Sequence, residues 1–195
     1  PRHDRDTQSC LDEPQDGTHL ATLHRQAWRE ARLPARRQGD LAQVVAIDAG
    51  GNETGWPRFS PDGRWIVYPT EVRSPGGDRL GLLMLIGVDQ ETGEVTRPAA
   101  EIRLDGFDSQ ATFAEFGPDS RTIFFEAMEG IGERGIWRVE RDGGVPRRVH
   151  SFRSEQWFTG IAVSPDGAWI AYAAPAADGR MQLFKVSSSG GEPVR

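Results

Sequence analysis

Three aspartates stand in nearly the same short sequence, Pro-Asp-Gly or Pro-Asp-Ser: Asp62, Asp119 and Asp166. Such a carboxylate has two uses. It can ligate calcium, whose oxygen shell draws on several groups at once. It can instead accept backbone N–H groups and close a turn, with glycine supplying positive φ. Spacing decides: the three are 57 and 47 residues apart, so none has an acid of its own turn with which to share an ion. Asp62, Gly63, Asp119, Asp166 and Gly167 are therefore read as structural turn residues, and no metal is expected.

Other reactive types give no constellation. There is no Gly-x-Ser-x-Gly elbow for a hydrolase nucleophile. The serine run at 187–189 has no local partner. His3, His19, His24 and His150 show no ligand spacing; His19 and His24, five apart, share neither a strand face nor a helix face. Cys10 is the only cysteine, so an intrachain disulfide is impossible, and it reads as an incidental thiol. Gly50-Gly51 and Gly76-Gly77 lack the lysine and helix of a phosphate loop. Asp12-Glu13 and the acids within 126–133 read as solvated loops. The chain is expected to hold no catalytic residue and no cofactor.

The turns belong to a repeat. Residues 59–68 (FSPDGRWIVY) recur as 116–125 (FGPDSRTIFF) and 163–172 (VSPDGAWIAY), with a worn copy at 13–22 (EPQDGTHLAT). Asp16, Asp62, Asp119 and Asp166 follow one another at 46, 57 and 47 residues. Such a period, with several strands per unit, marks propeller blades. Each unit reads as four runs. Inner strands are expected at 56–59, 111–116 and 160–163, and second strands at 64–68, 121–125 and 168–172. Third strands fall at 81–88, 136–140 and 181–186. Outer strands are expected at 41–47, 100–104 and 146–149, and polar loops at 70–79 and 126–135. Ser120 replaces the turn glycine, which predicts a slightly altered or strained turn.

Domain limits follow: a polar arm at 1–9, a degenerate blade plus outer strand at 10–55, and blades at 56–110 (with an insertion), 111–158 and 159–195. The last lacks its outer strand. Residues 20–32 have a helical alternative, because Leu20, Leu23, Trp28 and Ala31 share one helix face. The fold class is all-β: a propeller of four-stranded antiparallel blades, about four units, as an incomplete or fragmentary ring.

The copies FSPDGRWIVY and VSPDGAWIAY, followed by a strand, a Gly-Gly turn and a basic strand such as Pro146-Arg147-Arg148-Val149, resemble the repeats of TolB-like propellers, also called WD40-like or PD40 repeats. The resemblance covers 56–195 well and 10–55 weakly. It implies a non-catalytic module that binds a protein or a small molecule. The same repeat also serves as the regulatory propeller of prolyl-oligopeptidase-type hydrolases, whose catalytic domain would lie outside this chain. A periplasmic or extracytoplasmic location is what the resemblance implies.

Composition bounds the partners. Of 195 residues 37% are hydrophobic, with 23 glycines and 13 prolines, as suits short strands and tight turns. A net charge of −6 argues against nucleic acid or an anionic membrane. No apolar run reaches the ~18 residues of a membrane span. The chain begins at Pro1 without a signal peptide, and is expected to be a mature or excised piece. An open edge strand would allow self-association.

The tryptophans divide by place. Trp65 and Trp169 follow the turn at equivalent positions and read as blade packing. Trp56 and Trp157 lie in the links that enter inner strands, which reach one propeller face near the central channel. The contact surface expected there comprises Glu53, Trp56, Asp108, Gln110, Glu155 and Trp157.

Overall fold

The computed structural model describes residues 53–73, 79–107, 109–154 and 160–194. The arm, the worn repeat copy with its helical alternative, the outer strand at 41–47, the loop at 74–78, Asp108 and residues 155–159 lie outside the described residues.

The described residues form three antiparallel sheets in chain order. The first blade holds β1 (Glu53–Thr54), β2 (Arg58–Phe59), β3 (Trp65–Arg73), β4 (Arg79–Val88) and β5 (Val95–Glu101). The second holds β6 (Gln110–Phe116), β7 (Thr122–Gly130), β8 (Glu133–Glu140) and β9 (Arg147–Arg153). The third holds β10 (Ile161–Val163), β11 (Trp169–Pro175) and β12 (Met181–Ser187). A fourth position in this blade is marked only by Val194, which exchanges both backbone hydrogen bonds with Lys185 at 2.7 and 2.8 Å.

The repeated turns form as their chemistry dictates. Asp62 Oδ1 accepts from Ser60 Oγ (2.5 Å) and the Arg64 amide (3.1 Å), and Asp166 Oδ1 does the same with Ser164 Oγ (2.5 Å) and the Ala168 amide (3.0 Å). Gly117 stands where those serines would be. Asp119 is held from the other side, by Thr122 Oγ1 at 2.7 Å and the amides of Arg121 and Thr122. Ser120 takes φ 56°, beside 70° at Gly63 and 71° at Gly167. The turn therefore keeps its left-handed conformation and bears the strain of a side chain there, about 1–2 kcal/mol. Its hydroxyl is put to use: Ser120 Oγ accepts the Asp62 amide of the preceding blade at 3.1 Å.

Alternation along the strands gives each blade two apolar faces, because successive side chains point to opposite sides. Val67 and Leu83 of the first blade meet Phe116, Ile123, Phe125 and Val139 of the second. The other face of the second blade, with Phe124, Ile136 and Val149, meets Ile170, Tyr172 and Val186 of the third. Ile66, Tyr68, Ile86 and Val88 form a further buried cluster on the side of the first blade away from the second.

Two expectations are corrected. The outer strand of the first blade runs over Val95–Glu101 rather than 100–104. It is exposed throughout, so no burial pattern marks it. Beyond it, buried Ile102 still donates its amide to Leu83 O at 2.8 Å, and the chain then crosses to the next blade: Leu104 bridges Gly144, and the Gly144 amide donates to Arg103 O at 2.9 Å. A Cβ on Gly143, at φ 90°, would lie 2.7 Å from that same carbonyl, which is why the Asp142-Gly143-Gly144 turn needs glycine there.

The second correction concerns the expected polar loops: of 70–79, residues 70–73 continue β3 with Thr70 buried and Arg79 opens β4, and residues 126–135 are likewise a hairpin. Strand β7 continues to Gly130 and β8 begins at Glu133. Glu126 is fully buried, and its carboxylate accepts from Arg134 Nη1 at 2.6 Å, with that side chain 3% exposed. A buried carboxylate survives only when paired and hydrogen-bonded; one buried partner, eight residues away across the hairpin, supplies both.

Candidate functional site

The inner strands bring equivalent repeat positions into contact. Counted back from the motif prolines Pro61, Pro118 and Pro165, Trp56, Phe113 and Gly160 share one place, five residues earlier. The Trp56 and Phe113 rings meet edge to face, centroids 5.8 Å apart at 87°. A Cβ on Gly160 would lie 3.9 Å from the Phe113 ring. Three successive blades thus converge at this level.

Trp56 owes its position to a break in the inner strand. Thr54 pairs with Thr70 and Arg58 with Val67, so residues 55–57 oppose only 68–69. The extra residue makes a bulge, a device that re-aims a side chain. Gly55 donates to Pro69 O at 2.7 Å, and Pro57 has no amide to offer the ladder. The result is an indole 61% exposed, braced by Phe113.

Arg58 and Glu115 also share a repeat place, three residues before the proline, and Ala162 is the third member. Arg58 Nε donates to Glu115 Oε2 at 3.0 Å across the blade boundary. Burial pushes the Glu115 carboxyl above the usual glutamate range, although the Arg58 charge and hydrogen bond and the Phe116 amide pull it down. A third link joins the start of β6 to β3, where Gln110 Nε2 donates to Glu71 Oε2 at 3.2 Å.

Of the expected contact residues, the structure therefore places Trp56 and Gln110, and the backbone of Glu53, which pairs with Glu71. No hydrogen bond or ring contact joins Trp56 to Gln110. Asp108, Glu155 and Trp157 lie outside the described residues. Phe113, Glu71, Arg58 and Glu115 were missed. A signal for three of them was present: Phe113 stands at the repeat offset of Trp56, and Arg58 and Glu115 stand at one offset with opposite charge. Glu71 carries no such mark, because its role depends on the ladder between β1 and β3.

This strip is made of side chains that meet across the blade boundary. It offers an exposed aromatic, an ion pair and an amide–carboxylate pair. No group of three His, Cys, Asp or Glu side chains able to hold a metal ion occurs among the described residues. No helix of the described residues is long and apolar enough to cross a membrane.

No family model matches the chain. An uncharacterized protein of Agrobacterium fabrum is 30% identical over 124 residues, 63% of this chain and 36% of that protein's length. Among solved structures, the β-propeller domain of the Trilobed protease from Pyrococcus furiosus aligns with a TM-score of 0.51 at 12% identity, over 74% of this chain and 41% of that one. A puromycin hydrolase aligns with a TM-score of 0.51 at 18% identity, over 77% and 24%. TolB from Acinetobacter baumannii gives 0.46 at 22%, over 71% and 31%. The chain thus spans well under half of each of these proteins. The fold is part of a β-propeller.

Proposed function

We propose that this chain is a non-catalytic binding or scaffolding part of a β-propeller, and that its contact surface is the strip led by Trp56. The observation that carries this reading is the bulge: the inner strand gives up regular pairing at 55–57, and the residue released is a large aromatic, exposed yet braced by Phe113. A rigid, half-wet aromatic with polar neighbours is the usual anchor of a recognition surface. Glu53, Asp108, Gln110, Glu155 and Trp157 belong to the same proposed surface. The partner is a protein or a small molecule, and an extracytoplasmic location is part of the reading.

The test compares capture of partners from extracts of the source cells by the wild-type chain and by Trp56→Ala, with circular dichroism confirming equal folding. A partner retained by wild type and by Leu183→Ala but lost by Trp56→Ala supports the reading. A partner held equally by Trp56→Ala overturns it.

A further inference from the structure

At the other end of the first blade, where the Pro-Asp-Gly turn approaches the turn between β4 and β5, lies an open cleft of about 600 Å³ bordered by Arg141 of the second blade. Its floor is Trp65, half-buried. The Arg97 guanidinium lies 5.3 Å from the centre of this indole and that of Arg141 lies 4.3 Å from it. Arg64 borders the same space.

Acids and arginines lining the cleft balance in number, but not through direct pairing. Arg64 and Arg97 form no ion pair and no side-chain hydrogen bond among the described residues. Arg141 is anchored by donating to Ser120 O at 3.1 Å, while its Nε is buried without a hydrogen-bond partner, 3.8 Å from the Asp142 carboxylate. Three acids also line the cleft. Two are committed to their own turns: Asp62 Oδ1 to Ser60 and the Arg64 amide, and Asp89 Oδ1 to the amides of Glu91 and Thr92 and the Thr92 hydroxyl. Glu91 is exposed, and its carboxylate bonds none of the three arginines.

The ring of Trp65 attracts both guanidiniums, which holds Arg97 of the first blade and Arg141 of the second at the same side chain. Guanidinium forks match the oxygens of carboxylate and phosphate, and the pairing is charge-assisted. We propose that this cleft binds an oxyanion, a carboxylate or phosphate group, between Arg97, Arg64 and Arg141, with Trp65 as the platform that sets the first and last. The Thr96 hydroxyl and the Gln90 amide, also on the wall, are neutral donors for the remaining oxygens. Glu91 is the competing anion. The site is distinct from the Trp56 strip, none of whose residues borders the cleft.

Calorimetric titration of the whole 195-residue chain at constant ionic strength, with inorganic phosphate and separately with succinate, tests this. Saturable one-site binding is expected. Arg97→Gln should weaken it about tenfold or more, as loss of a charge-assisted pair does, and Glu91→Gln should tighten it, both with unchanged thermal unfolding. Saturation by phosphate alone identifies a phosphate site; saturation by succinate alone identifies a carboxylate site. No saturable binding of either probe, or binding that neither substitution alters, overturns the proposal.

Discussion

Leu83 in the first blade and Leu183 in the third stand at the same place in the repeat. Each pairs with the residue eight positions past the motif proline, Pro69 and Ala173. Yet Leu83 is fully buried and Leu183 is 75% exposed. The tryptophans of the two turns differ in the same sense. Trp65 lies beneath Arg141 of the second blade, whereas Trp169 is 37% exposed and, among the described residues, has Lys185 of its own sheet over its ring, at 4.5 Å. The sequence pattern is shared; what differs is that the face of the first blade is covered by β6 and its neighbours. A blade's inward and outward character is thus conferred by the next blade, not by its own residues.

Truncating the two leucines is the strongest way to break this comparison. Leu83→Ala should cost about 2–5 kcal/mol, the usual result of opening a cavity in a packed core. Leu183→Ala should stay within about 0.5 kcal/mol, as at an exposed site. Denaturant unfolding measures both. A comparable loss at Leu183 would mean that its face is covered in solution, and a mass measurement would then identify self-association.

The turn glycines sharpen the comparison on a smaller scale. A Cβ on Gly167 would meet Pro118 of the preceding blade at 2.9 Å, and φ there is 71°. Gly167→Ala should therefore destabilise by about 1–3 kcal/mol. Ser120→Gly should be close to neutral, because relief of backbone strain, about 1–2 kcal/mol, offsets loss of the hydrogen bond to the Asp62 amide, about 1 kcal/mol. A large loss at Ser120 would show that the bridge between turns outweighs the strain.

The smallest effect concerns acid. Burial pulls the Asp119 carboxyl upward, but hydrogen bonds from Thr122 and the Arg121 and Thr122 amides, with the Arg121 charge, hold it below the usual aspartate value. The Ser164 hydroxyl and the Ala168 amide hold Asp166 low as well. A depressed folded-state value means stability that is present above the unfolded aspartate value, near 3.9, and lost as pH falls through the folded one. Thermal midpoints should drop on acidification below about pH 4. Asp119→Asn and Asp166→Asn should each make that drop shallower. An unchanged slope in both would show that the turns do not carry it.

Much of the fold was legible because its signals are local. Pro-Asp-Gly fixes a turn whatever surrounds it, and dense β-branched and aromatic residues after it form β3, β7 and β11 close to where they were expected. The outer strand of the first blade was not legible, since Val95–Glu101 faces solvent along its whole length and shows no alternation. Nor was Glu126: an acid among glycines reads as a loop until a hairpin brings Arg134 against it. The candidate strip was half legible. Trp56 was singled out as an aromatic at the entry to an inner strand, while Phe113 looked like ordinary strand core.

The amino-acid sequence alone determined the turn conformation and the second and third strands of the three described blades, because these follow from φ preferences and side-chain alternation within about ten residues. Only the tertiary structure decided that Phe113 braces Trp56, that Arg58 meets Glu115, that Ser120 reaches Asp62, and that Leu83 is buried while Leu183 is not. Each of those pairings joins residues from different repeats, and it depends on how one blade is rotated against the next. That rotation is set by the packing of whole faces, which no short stretch of sequence encodes.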